Sequence, residues 1–377
     1  MSGEKRIVRA VSAEPPVSKH LNAIGCMRGL PVSGNFELTA RCNFDCKMCY
    51  VHLQNSKELL ERELTAEQWL SLASDARDMG MIFLLLTGGE PFLRKDFPEI
   101  YTELIKMGMM ISINTNASLY DEQIRSLFRK YPPTRLNVTL YGGTEETYES
   151  LCGRASFNKV VSNLKKMKED HLQVKLNVSL TPYNISDMEK IHEISKELGL
   201  QTKATSYMYP PVRVTGEIGT NTARFDAKKA GKVMAEWSRL RDTKEMFLKR
   251  AEKVRKCQCA DMSESCIDVE QEGIMCRAGR SSFWLTWDGR MLPCGTMDAK
   301  PAYPLLDGFS NAWQKTREYA SEIRLPKKCA ACSYRQNCGV CAANCKAETG
   351  HFDKVPEYLC QMTESQCTRM IEIAETL

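Results

Sequence analysis

Between residues 36 and about 208 the chain repeats one theme six times: a short β-rich apolar run, a turn, then an amphipathic helical stretch. The strand-like runs are FELTA (36–40), IFLLLT (82–87), MISINT (110–115), LNVTLY (136–141), VKLNVSL (174–180) and TKATSY (202–207). Parallel strands need long crossovers, and those crossovers are right-handed, so six strand-and-helix units predict an α/β fold with a parallel sheet and helices outside it. Six units fall short of a closed eight-fold barrel. On pattern alone a partial barrel and a doubly wound sheet both stay open, and either puts ligands at the C-terminal ends of the strands. Helix punctuation is also readable. Thr65 is an N-cap with Gln68 as capping-box partner, and Gly80 and Gly199 are helix stops.

From residue 257 the composition changes: twelve of the 17 cysteines lie between 257 and 367. The first twenty residues hold no apolar stretch long enough for a secretory signal, and no 18-residue apolar span occurs. A cytoplasmic protein is the expectation, with no membrane partner. A net charge of +5 is only mildly basic and gives no case for nucleic acid. Reducing cytosol discourages disulfides, so the thiols read as metal ligands. The expected organisation is an N-terminal extension (1–35), a strand-and-helix domain (36–225), a basic helical linker (226–275) and a separate cysteine-rich domain (276–377). For the basic helices within 226–256 the two readings are a solvated connector and a docking face for an acidic peptide.

Cys42, Cys46 and Cys49 follow the first strand directly, at the mouth of the predicted sheet. An iron-sulfur cube takes one ligand per iron, and thiolate is the soft donor that suits it. Three thiolates leave one iron open, by the logic that separates catalytic from structural metal sites. At the end of the second strand stands LTGGEP, with Gly88, Gly89, Glu90 and Pro91. Two glycines let backbone carbonyls approach a ligand closely, and a glutamate offers a carboxylate to an ammonium.

This C-x3-C-x2-C spacing together with GGEP resembles the radical S-adenosylmethionine (SAM) superfamily. The resemblance implies a partial (β/α)6 TIM-type barrel and a four-iron cluster on Cys42, Cys46 and Cys49. It implies that SAM chelates the open iron, with its amino group at Gly88–Pro91, and is cleaved to a 5'-deoxyadenosyl radical that abstracts hydrogen. By position in the family pattern, Asn116 in NTNAS, Thr139 on strand four and Arg154 join the SAM contacts, with Arg213 a competing arginine.

The later cysteines run Cys276, Cys294, Cys329-x2-Cys332-x5-Cys338-x2-Cys341 and Cys360. This resembles the SPASM extension of radical SAM enzymes, an iron-sulfur domain with two further four-iron clusters. Carried over by position, the outer cluster (auxiliary II) takes Cys329, Cys332, Cys338 and Cys360. The inner one (auxiliary I) takes Cys276, Cys294, Cys341 and an upstream cysteine. Cys266 is the choice there, Cys257 and Cys259 stay open, and Cys345 competes with Cys341. Three four-iron clusters amount to on the order of 12 iron atoms. The remaining cysteines are expected to be packing thiols.

The two resemblances imply a peptide-modifying enzyme, one that forms a thioether or other crosslink in a ribosomally made, cysteine-containing peptide. A flavodoxin or ferredoxin would supply electrons. About 35 residues before strand one are too few for a leader-binding winged-helix domain, so either a separate leader-peptide-binding protein presents the substrate, or the barrel mouth and the basic helix at 226–256 do so. Alternatives are anaerobic sulfatase-maturase-like formylglycine formation, small-molecule cofactor biosynthesis, and an electron-transfer protein. Sulfatase maturases place a catalytic aspartate directly after the second inner-cluster cysteine, where this chain has Gly295.

Overall fold

The computed structural model describes residues 15–51, 53, 56–259, 273–297, 299–330 and 332–377. Its centre is one sheet of β1 (Ser33–Glu37), β2 (Phe83–Thr87), β3 (Met110–Thr115), β4 (Arg135–Thr139), β5 (Val174–Ser179), β6 (Gln201–Thr205), β7 (Ser282–Leu285) and β8 (Met291–Leu292). The spatial order is β6-β5-β4-β3-β2-β1-β7-β8. β1 to β7 are parallel to their neighbours, and β8 runs antiparallel to β7. The six expected units are therefore present as a partial barrel.

The alternation of side chains explains why these runs form a half-barrel. Leu136 and Val138 on β4 and Leu176 and Val178 on β5 are buried on the helix side. The residues between them face the concave side and are polar, and Asn137 donates to Asn114, which donates to Thr87. On the outside, Trp69 stacks on Phe36 with ring centroids 5.0 Å apart. Trp69 sits on the helix Ala66–Asp78, which opens with the capping box expected at Thr65 and Gln68. Gly80 and Gly199 stand just past helix ends with φ of 106° and 63°, backbone conformations that favour glycine.

Two expectations change. The segment from 276 onward is no detached domain: β7 pairs in register with β1, Ser282 opposite Ser33 and Leu285 opposite Phe36. The 226–275 linker is overturned for its first helix, Ala227–Arg241, which buries Trp237 completely. It lies against the last helix, Glu357–Glu375, at Gly231, where an added Cβ would fall 2.2 Å from the Met362 carbonyl oxygen. Only glycine permits that approach, and Ser365 donates to the Lys228 carbonyl beside it. Basic residues on a helix with one apolar stripe read as a solvated connector in sequence. Packing of the stripe decides otherwise. Among the described residues no helix is long and apolar enough to cross a membrane.

Candidate functional site

The C-terminal ends of β2 to β6 enclose a cavity of about 360 Å³. One wall is the loop after β1, with Cys42, Cys46 and Cys49, and the backbone of Gly88 and Gly89 borders it. Asn116, Thr139, Ser179, Thr205 and Tyr209 also line the cavity. Cys46 and Cys49 lie close enough to Cys42 to add to the rise in its pKa. Burial pushes Cys42 up to about 12, against the backbone N–H of Phe44, which donates to its sulfur. Cys46 is pushed up first by a hydrogen bond with the Cys152 thiol and then by burial. Thiols this hard to ionise become thiolates only beside a metal cation, which deprotonates its sulfur ligands on binding.

The glycine pair does its work against the protein. A Cβ on Gly88, whose φ is 148°, would meet the Thr39 carbonyl at 2.4 Å, and one on Gly89 would meet the Arg41 carbonyl at 2.1 Å. Gly89 N–H donates to Thr39 O at 2.7 Å and Glu90 N–H to Arg41 O at 3.0 Å. The end of β2 thus clamps the backbone that leads into the cysteine loop. Gly89→Ala is expected to displace that loop and to lose both iron from the loop and SAM cleavage. Wild-type iron content and 5'-deoxyadenosine yield in the variant would refute the clamp.

Glu90, expected as a carboxylate presented to an ammonium, is held by three donors of the protein itself. It has no exposed surface and accepts from Thr115 Oγ1 at 2.8 Å, Asn116 N–H at 2.8 Å and Phe92 N–H at 3.2 Å. Burial pushes its carboxyl up to about 7 despite these three donors. The side chain ties β2 to the end of β3 beneath the cavity, and Pro91 opens the short 3-10 turn that Glu90 caps. Asn116 is buried and reaches both Cys42 Sγ, at 3.8 Å, and Asn43 Oδ1, at 3.0 Å. Thr139, the last residue of β4, lines the cavity. Arg154 does not: it is exposed beyond the helix Glu145–Cys152, which ends at Gly153. Arg213 is also committed elsewhere. Its Nη2 donates to both Glu37 carboxylate oxygens, at 2.9 and 3.0 Å, and its Nη1 donates to the Gly295 carbonyl.

The later cysteines gather in two places. Cys329, Cys332, Cys338 and Cys360 rim one cavity of about 130 Å³. Cys276, Cys294 and Cys341 rim another of about 140 Å³, while the buried Cys345 lines neither. Cys266 lies outside the described residues, as do the side chains of Cys257 and Cys259. A single zinc ion needs its sulfurs about 2.3 Å from one centre. Among the described residues no three His, Cys, Asp or Glu side chains converge so closely. Thiols spread around an open volume fit a multi-iron cluster, one cysteine to each iron. Of the spare thiols, Cys152 and Cys367 are buried in the core and Cys26 donates to Ser281 Oγ at 3.3 Å.

Sequence reasoning missed Ser179 and Thr205, the final residues of β5 and β6. The signal was present, since each is a hydroxyl at the C-terminal end of a parallel strand. It also missed Tyr50 and Tyr209, whose rings lie 5.6 Å apart on the cavity wall.

Residues 36–194 match the Radical SAM superfamily. An AdoMet-dependent heme synthase of Methanosarcina barkeri is 22% identical over 329 residues, which cover 84% of this chain and 93% of that protein. Among solved structures, Streptococcus suis SuiB bound to its precursor peptide SuiA superposes with a TM-score of 0.67 at 15% identity, over 93% of this chain and 82% of that one. The protein anSMEcpe, with bound AdoMet and the Cp18Cys peptide, gives 0.63 at 17%, over 92% and 100%.

Proposed function

We propose that this chain, which carries a radical SAM domain over residues 36–194, is a radical SAM enzyme that modifies a peptide. The observation that carries the reading is the single cavity where the three-cysteine loop, the glycine clamp and the uncharged strand ends meet. Cys42, Cys46 and Cys49 would hold a four-iron cluster there. With SAM it supplies a carbon-centred radical that removes a hydrogen atom from the substrate.

The chain's own part is placement and exclusion of water. Backbone groups at Gly88 and Gly89 and the side chains of Asn116 and Thr139 present donors and acceptors for the SAM head group and ribose. Tyr50, Tyr141 and Tyr209 form an aromatic wall against which a substrate side chain packs dry. Cys329, Cys332, Cys338 and Cys360 would hold one auxiliary cluster. Cys276, Cys294, Cys341 and Cys266 would hold the other.

A peptide substrate is supported by the fold shared with proteins whose solved complexes contain peptides. Formylglycine formation with an aspartate after Cys294 is disfavoured. A Cβ on Gly295 would sit 2.4 Å from the Trp284 ring, and that ring is pinned because its Nε1–H donates to Glu37 at 2.8 Å. Small-molecule cofactor biosynthesis is the second reading, favoured by the long alignment with the heme synthase.

Reconstituted protein with SAM and dithionite, without oxygen, is expected to yield 5'-deoxyadenosine. Its absence at full iron loading would overturn the enzyme reading. Mass spectrometry of a co-expressed candidate peptide then separates the two readings: loss of two hydrogens supports a crosslink, and an unchanged mass refutes it.

A further inference from the structure

The concave face of the half-barrel continues below the cavity. Side chains alternate along a strand, so Arg135 shares a face with Thr139 on β4, Lys175 with Ser179 on β5, and Lys203 with Thr205 on β6. The register makes them diagonal neighbours: Asn137 lies opposite Lys175 and Asn177 opposite Lys203, each cation two residues from the next across the strands. Arg135 and Lys175 are half-buried and Lys203 is exposed. Among the described residues no carboxylate pairs with any of the three, and the Arg135 Nε is a buried donor without a partner. Lys203 and Arg135 both add to the burial that lowers the ionisation of Lys175, as uncompensated like charges do.

Most other cations set into the fold are matched. Arg94 has Asp96 and Glu63, Arg125 has Asp170, Arg213 has Glu37 and Arg224 has Glu348. Three unmatched cations on one face of the sheet sum to a positive potential on the strand side below the cavity. At about 3.3 Å per residue, two residues separate Lys203 from Thr205 and four separate Arg135 from Thr139 and Lys175 from Ser179. The site therefore lies roughly 7 to 13 Å below the reacting chamber.

We propose that Arg135, Lys175 and Lys203 bind a carboxylate of the substrate peptide, carried by an Asp or Glu two to four residues from the residue that reacts. The inference rests on the peptide reading and adds a specificity element to it. An extended peptide spans the same roughly 7 to 13 Å in two to four residues, and a row of one guanidinium and two ammonium groups suits one carboxylate in charge-assisted hydrogen bonds.

Binding tests it on the full-length, iron-loaded protein with SAM present. The probes are acetyl-Gly-Gly-Asp-Gly-amide, its Asn counterpart, the same peptide with Gly for Asp and a free C-terminal carboxylate, and inorganic phosphate, each titrated by calorimetry. The Asp peptide is expected to bind at least about tenfold more tightly than the Asn peptide. The double variant K175Q/K203Q should erase that difference while circular dichroism and iron content stay at wild-type levels. Should the variant misfold, loss of the Asp preference in wild-type protein at about 0.5 M salt reads the same site. Equal binding of the Asp and Asn peptides, a preference that survives in K175Q/K203Q or at high salt, tighter binding of phosphate, or tighter binding of the free C-terminus would each overturn the proposal. Failure of the peptide reading looks different: the Asp preference holds while no peptide changes mass. Failure of this inference alone appears as a modified peptide whose Asp→Asn counterpart is modified equally.

Discussion

Replacing any one of Cys42, Cys46 or Cys49 by alanine is expected to bring SAM cleavage down to the level of a no-enzyme control, with about two thirds of the iron retained. The structure puts all three thiols of the loop on the cavity, so a cluster held there would be left with two of them. The retained iron would be that held by the two later cysteine sets, which rim cavities of their own. Cys329→Ala should give the converse, loss of about one third of the iron with the loop cluster intact. Cys46 needs one precaution. The Cys152 thiol already hydrogen-bonds to it, so Cys46→Ala is compared with the Cys46→Ala/Cys152→Ala pair to remove a substitute ligand. Iron analysis and 5'-deoxyadenosine yield are the measurements, and wild-type cleavage in the loop variants would overturn the assignment.

Arg213→Ala is expected to destabilise the fold by about 3 to 5 kcal/mol, the cost of leaving one charge of a buried pair uncompensated. Glu37 is fully buried at the end of β1 and takes three donated hydrogen bonds, two from Arg213 and one from Trp284. Arg213 joins the strand that feeds the loop cysteines to the Gly295 carbonyl beside Cys294. Loss of the guanidinium therefore loosens both cysteine sets at once. Arg213→Lys should not restore the wild type, because a single ammonium cannot replace the rigid plane whose Nη2 holds the Glu37 carboxylate while its Nη1 holds the Gly295 carbonyl. An Arg213→Met/Glu37→Leu pair should recover part of the loss, since removing both charges costs less than orphaning one. Denaturant unfolding followed by tryptophan fluorescence reads the effect, and an unchanged midpoint in Arg213→Ala would refute it.

The six strands, their parallel arrangement and the capping box at Thr65 were legible because each is written in local residues. The first strand shows the limit of that reading. Expected at 36–40, it lies at Ser33–Glu37, because Thr39 and Arg41 leave the ladder to accept the N–H groups of Gly89 and Glu90. The cysteine loop was legible through its spacing. The three protein donors to Glu90 were not legible, because they come from Phe92 and from the end of β3, Thr115 and Asn116. Arg154 was carried over by position, and the turn at Gly153 leaves it in solvent. Arg213 could not be paired with Glu37 from sequence, 176 residues away. The strand β7 escaped because SFWL is four residues long and finds its partner only across the chain.

That last pairing sets a timetable. Ser33 leaves the ribosome 249 residues before its partner Ser282 (282 − 33). At 5–20 residues per second the nascent chain waits roughly 10 to 50 s with one edge of β1 unsatisfied. An unpaired strand edge is a template for wrong partners. Synthesis thus delivers Cys42, Cys46 and Cys49 first, on a sheet that stays open along one side until the later cysteine-rich part of the chain arrives to close it.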